Sequence, residues 1–158
     1  MKKINLKTLI SCFLIVFILL GGIGSLFTTP NTNTDWYNSI KPSITPPSFV
    51  FPIVWNFLFI LISFSLYFAW TSAKNKIQKR NIIIFFGINF ILNILWSVLF
   101  FVLKLPKIAF TEIILLWVSI LVLIAVTEKI NLKSSWLLWP YMIWVAFASI
   151  LNWIIGFG

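Results

Sequence analysis

An all-α membrane protein built as a five-helix transmembrane bundle is the architecture this sequence predicts, and three observations predict it. Hydrophobic residues fill 61% of the 158 positions and charged residues 9%, a composition that would leave a soluble domain with a large apolar surface in water. The few charges fall in short gaps that divide the chain into apolar runs, each reaching the ~20 residues that a spanning helix needs. The cations in those gaps are shared unequally between alternate connections, as membrane loops require.

The first helix is expected at about 8–28, behind Lys2, Lys3 and Lys7. A cleaved signal peptide is the alternative, since basic residues precede an apolar run that ends in Gly21-Gly22-Ile23-Gly24-Ser25. The run is longer than a usual signal core, so a span is preferred, with Gly21 and Gly24 at a close helix contact. Cys12, the single cysteine, has no partner for an intramolecular disulfide and reads as packing. A connection at about 29–46 follows, polar at Asn31-Thr32-Asn33-Thr34-Asp35, aromatic at Trp36-Tyr37 and rich in proline. Such a segment either folds over a bundle mouth as a lid or anchors at the membrane interface. Proline is tolerated in a first helical turn, so the second helix begins near Pro47 and runs to about 71. The remaining helices are expected at 81–103, 107–127 and 134–157, the whole of 1–158 forming one domain.

Placing the N-terminus in the cytoplasm puts Lys2, Lys3, Lys7, Lys74, Lys76, Lys79, Arg80, Lys129 and Lys133 on one side. Only Lys41, Lys104 and Lys107 fall on the other. The positive-inside bias therefore predicts a cytoplasmic N-terminus, with the lid loop and the C-terminus outside. A net charge of +9 does not indicate nucleic acid, because the cations are scattered among membrane loops rather than gathered on a folded surface.

The residue inventory excludes much chemistry. There is no histidine, and the carboxylates are Asp35, Glu112 and Glu128, so neither a histidine-based triad nor a histidine metal site can be built. Haem would lack its commonest axial ligand, and no glycine-rich phosphate loop is present. No cofactor or metal is expected.

Aromatic residues are the unusual asset. Of nine tryptophans, Trp70, Trp136, Trp139 and Trp153 lie near helix ends, where interfacial anchoring explains them. Trp96, Trp117 and Trp144 lie deeper, where the indole N–H needs a partner and either packing or ligand contact is expected. Asn89, Asn93, Trp96 and Ser97 share one stripe of the third helix. Amides in hydrocarbon demand partners, which interhelical hydrogen bonds or a ligand cavity would supply. Glu112, about a turn and a half inside the fourth helix, is a functional candidate, with pairing to an Asn or Ser, or snorkelling, as the structural alternatives.

The block Trp36-Tyr37-Asn38-Ser39-Ile40-Lys41-Pro42-Ser43-Ile44-Thr45-Pro46-Pro47, followed by Phe51-Pro52 and Trp55, resembles the tryptophan-rich sensory protein family, which includes the translocator proteins. The likeness continues at Asn93-Ile94-Leu95-Trp96-Ser97 with Phe100-Phe101, at Ala109 with Glu112, and at Pro140-Tyr141 with Trp144, Phe147-Ala148 and Leu151-Asn152. It implies a five-helix bundle, often a homodimer in contact with membrane lipid, in a bacterial or archaeal cell membrane. It also implies a cavity beneath the first long loop that takes porphyrins and synthetic aromatic drugs. By position within the matching motifs, Trp55, Phe59, Asn93, Trp96 and Trp144 would line that cavity and Tyr37 would sit in the lid. Some bacterial members are reported to degrade protoporphyrin in light, which would make Trp55 and Trp144 the reactive neighbours; passive transport of the same ligands is a further alternative. Two departures stand out. The segment between Trp-Tyr and Lys-Pro is one residue shorter than is usual in the family, and Ile44 and Phe49 stand where tryptophan is common, so a smaller, less aromatic lid is expected. After Leu151, Trp153 takes the place of a tyrosine and no basic residue follows, so the weak sterol-recognition pattern of some members is absent.

Overall fold

The computed structural model describes residues 4–158. Among them there is no strand, and five helical stretches are long and apolar enough to cross a membrane: Leu6–Asn31, Val50–Ser72, Lys76–Val102, Pro106–Glu128 and Leu132–Phe157. With this composition the chain is an integral membrane protein. The expected helices are all present, and the differences lie at their ends. Asn5 Oδ1 accepts from the Thr8 N–H, and Asn75 Oδ1 from the Gln78 N–H, so side-chain caps start the first and third spans earlier than the apolar runs alone suggest. The fourth span begins at Pro106, which has no N–H to lose in a first turn. The fifth is interrupted: a short turn of helix, Leu132–Trp136, capped by Asn131, is followed by Trp139–Phe157, with Pro140 in the first turn of the longer piece.

The first span packs on the second and third, the third on the fourth, and the fourth on the fifth. One end of the bundle is pinned by polar contacts. Ser65 and Ser134 exchange bonds, each hydroxyl reaching the other residue's carbonyl at 2.8 and 2.7 Å. Asn131 Nδ2 donates to Ser72 Oγ at 2.7 Å, and the Asn5 N–H donates to the Tyr67 hydroxyl at 3.0 Å. In hydrocarbon such bonds hold helices together where water expulsion cannot. Toward the opposite end the second span makes few contacts with the third and the long part of the fifth, and a space opens between them.

Two stretches of π-helix, Phe17–Gly24 in the first span and Val98–Val102 in the third, lie at that open end. Wide turns of this kind are frequent at functional sites. The lid is more ordered than a loop: a helix, Asp35–Ile40, starts at Thr34, whose hydroxyl accepts from the Tyr37 N–H. Trp36 and Tyr37 from this helix pack on Phe100 and Phe101 of the second π-helical stretch, with ring centroids 5.7–6.3 Å apart. That aromatic contact seats the lid on the bundle.

Candidate functional site

Beneath the lid lies a cavity of about 760 Å³, within the range that holds drug-sized ligands. The first, second, third and fifth spans and the lid all contribute to its wall. The six residues singled out from sequence, Tyr37, Trp55, Phe59, Asn93, Trp96 and Trp144, come together in this one lining.

The second span presents Trp55 and Phe59 one turn apart, their ring centroids separated by 5.7 Å with planes 33° from parallel. Trp144 joins the same lining from the fifth span and meets Phe51 edge-on at 5.8 Å. Trp96 stacks on Phe100 at 5.3 Å and 24°, and its indole N–H donates to Asn152 Oδ1 at 2.9 Å. Asn152 in turn donates from Nδ2 to the carbonyl of Pro106 at 2.7 Å, so the third, fourth and fifth spans fix the Trp96 ring as one unit. The walls are flat and apolar, with a small number of held amides.

Behind this wall a polar chain crosses the bundle. Asn93 Nδ2 donates to the Tyr141 hydroxyl at 3.0 Å, and that hydroxyl donates to Asn89 Oδ1 at 3.2 Å. Asn89 Nδ2 reaches Ser119 Oγ at 2.8 Å, and Ser119 returns to the Leu116 carbonyl at 2.6 Å. Both readings of the third-helix stripe therefore apply, to different residues. Asn89 is fully buried among helices, whereas Asn93 belongs to the chain and also lines the cavity. Tyr37, from the lid, is partly buried, and that burial pushes its phenol above the ordinary value.

Some expectations require correction. Gly24 is buried and lines the cavity, yet a Cβ built there meets nothing within 4 Å; it opens space and makes no close helix contact. A Cβ built at Gly21 would lie 3.6 Å from the Phe59 ring, an ordinary van der Waals contact. For Trp117 the packing alternative holds: it packs against the core and does not line the cavity, although its indole N–H is buried without a partner among the described residues. Glu112 neither snorkels nor pairs: it is 5% exposed, and both carboxyl oxygens lack a partner among the described residues. Tyr141 and Asn152 lie in the matching motifs, and their part in the site becomes visible in the fold. A tyrosine hydroxyl inside an apolar helix has to find a partner, and Asn152 shares a helical face with Trp144 and Ala148, signals that sequence alone carried. Among the described residues no group of His, Cys, Asp and Glu could hold a metal ion.

Comparison with known proteins agrees with this architecture. The chain is 36% identical over 154 residues to the tryptophan-rich protein TspO of Archaeoglobus fulgidus, covering 96% of each chain. It is 33% identical over 138 residues to the protein of the same name from Chlorobaculum tepidum, covering 87% of each. Identity to the translocator protein of Ovis aries is 25% over 119 residues, or 74% of this chain and 70% of that one. The family model described as TspO/MBR matches residues 12–157, nearly the whole bundle with its lid and cavity, and the chain belongs to the TspO/MBR family.

Proposed function

We propose that this protein is a membrane receptor or sensor that binds tetrapyrroles, protoporphyrin-like molecules above all, and other flat hydrophobic ligands in the cavity beneath its lid. The observation that carries the reading is that Trp55 and Phe59 on one span and Trp144 on another line a single cavity of about 760 Å³. A planar macrocycle needs broad aromatic walls with a few polar groups to orient it. Asn93 and Tyr37 supply such groups. The N-terminus faces the cytoplasm in this reading, supported by the distribution of lysine and arginine between connections, and the protein works as a homodimer, as the family resemblance implies.

Titration of the purified protein with a porphyrin panel, followed by tryptophan quenching, tests it. Saturable binding that weakens when Trp55 or Trp144 becomes alanine is the expected result. Binding unchanged within twofold in both variants, with folding intact, would place the site elsewhere.

A second reading, light-dependent degradation of the bound porphyrin, is favoured by one observation: two oxidisable indoles, Trp55 and Trp144, line the same cavity. With neither histidine nor a carboxylate among the described residues of the lining, the excited macrocycle itself is the available driving force. Illumination of the complex, with porphyrin absorbance followed against an unilluminated control, separates degradation from simple binding.

A further inference from the structure

The end of the bundle away from the lid carries most of the charge. Lys7, Lys74, Lys76, Lys79, Arg80, Lys129 and Lys133 are all exposed there, against one carboxylate, Glu128. At the lid end, Lys104 Nζ lies 5.6 Å from the centroid of the Trp36 ring and Lys107 Nζ 5.6 Å from that of Phe157. Both rest on aromatic faces. At the far end only Lys79 is placed in this way, 5.2 Å from the centroid of the Trp70 ring, among the described residues.

Three of the other lysines are brought together by packing. The hydrogen bond from Asn131 Nδ2 to Ser72 Oγ, at 2.7 Å, ties the connection before the fifth span to the end of the second. Lys74 follows Ser72 by two residues, and Lys129 and Lys133 stand two residues either side of Asn131. Each therefore lies within about 7 Å of chain from that bond. The backbone is held at two of them: the Lys74 N–H donates to Gln78 Oε1 at 2.7 Å, and the Lys133 N–H to Asn131 Oδ1 at 2.9 Å. Beside them large apolar side chains are uncovered, Leu132 being 56% and Trp136 64% exposed. Gathered cations repel one another, and an anion between them turns that repulsion into attraction.

We infer that Lys74, Lys129 and Lys133 form a binding site for the phosphate of an anionic phospholipid, with its acyl chains along Leu132 and Trp136. A lipid fits better than a free phosphate or an acidic protein segment, because cations and uncovered apolar side chains adjoin at the helix ends. That is the depth at which headgroups meet hydrocarbon. A phosphate held there bridges the two connections that the Asn131–Ser72 bond already joins, with charge-assisted hydrogen bonds from the ammonium groups. The inference is independent of what the cavity binds.

The test is native mass spectrometry of the full chain in a neutral detergent, titrated with phosphatidylglycerol or with phosphatidylcholine of the same acyl chains. Affinity for the anionic lipid is divided by affinity for the zwitterionic one, and circular dichroism checks the fold of each variant. The parent is expected to take up one phosphatidylglycerol with a preference of about tenfold or more. Lys74→Gln/Lys133→Gln should lower that quotient about tenfold, and Lys74→Gln or Lys133→Gln alone about threefold. The single variants carry the test if the double variant does not fold. Lys74→Arg/Lys133→Arg should keep the preference, as should Lys104→Gln/Lys107→Gln, which removes equal charge from the lid end. A quotient near one in the parent, or an unchanged quotient in the glutamine variants, overturns the inference. So does an equal fall in the lid-end variant, which would show attraction to net charge alone. Inorganic phosphate added at constant ionic strength should leave the lipid bound; displacement would overturn the lipid as occupant.

Discussion

Replacing Asn93 or Asn89 by leucine should separate the two roles that amides play on the third span. They lie four residues apart and join the same chain of hydrogen bonds through the Tyr141 hydroxyl, but only Asn93 lines the cavity. Asn93→Leu removes the donor to Tyr141, which still donates to Asn89. The stability cost should be about 0.6–1 kcal/mol, the range of single interhelical hydrogen bonds in membranes. It also removes a polar group that can meet a pyrrole nitrogen, a loss of about 1–1.5 kcal/mol or roughly five- to tenfold in affinity. Asn89→Leu strips the Tyr141 hydroxyl of its acceptor in a fully buried setting. Its stability cost should be the larger, about 1–2 kcal/mol, while affinity stays within twofold. Thermal unfolding in detergent and porphyrin titration of the same preparations give both numbers for each variant. Equal losses of affinity in the two variants, with both folded, would refute the assignment of Asn93 to the cavity wall and of Asn89 to bundle packing.

Four other outcomes follow from the same geometry. Gly24→Phe should leave the bundle folded, because a Cβ there meets nothing within 4 Å, yet fill cavity space and weaken protoporphyrin binding about tenfold or more; unchanged affinity in a titration would show that the ligand avoids this wall. Glu112→Met should leave the melting temperature unchanged or raise it, by the equivalent of about 1–3 kcal/mol, since it removes a buried carboxyl with no partner among the described residues; a fall of that size in a melting curve would mean that the carboxyl makes a contact in the membrane. Trp55→Phe/Trp144→Phe should preserve most porphyrin binding and abolish light-driven bleaching, and bleaching at the parent rate under equal occupancy would exclude the indoles from the chemistry. Reporter fusions at Met1 and Gly158 should report opposite compartments, and two reports from one side would overturn the orientation.

Much of this architecture can be read from the sequence because lipid imposes a simple rule: in an all-α chain, an uncharged or nearly uncharged run of sufficient length is a spanning helix. The five runs show it, and the charges at Lys74 to Arg80 and at Lys129 to Lys133 mark two of the connections. The caps at Asn5, Asn75 and Asn131 were equally visible as residues, but their effect on helix ends depends on backbone geometry that residue type alone does not set. The two π-helical stretches were not legible, since a wide turn is decided by what packs against it, here the Phe59 ring beside Gly21 and the lid rings on Phe100 and Phe101. The cavity residues were named largely through their motifs, because residues such as Tyr37, Phe59 and Trp144 come from separate elements and meet only in three dimensions. Glu112 shows the opposite case: its position in a span was plain, but whether an Asn or Ser lay within reach depended on how the helices rotate against one another.

The most direct test of the central claim is an equilibrium titration of the protein in neutral nanodiscs with protoporphyrin, against empty nanodiscs and Trp55→Ala/Trp144→Ala protein. The account predicts saturable binding of one porphyrin per chain in the parent, and only the linear partitioning of empty nanodiscs in the variant. Linear uptake by the parent, or saturable binding that survives in a folded variant, would contradict it.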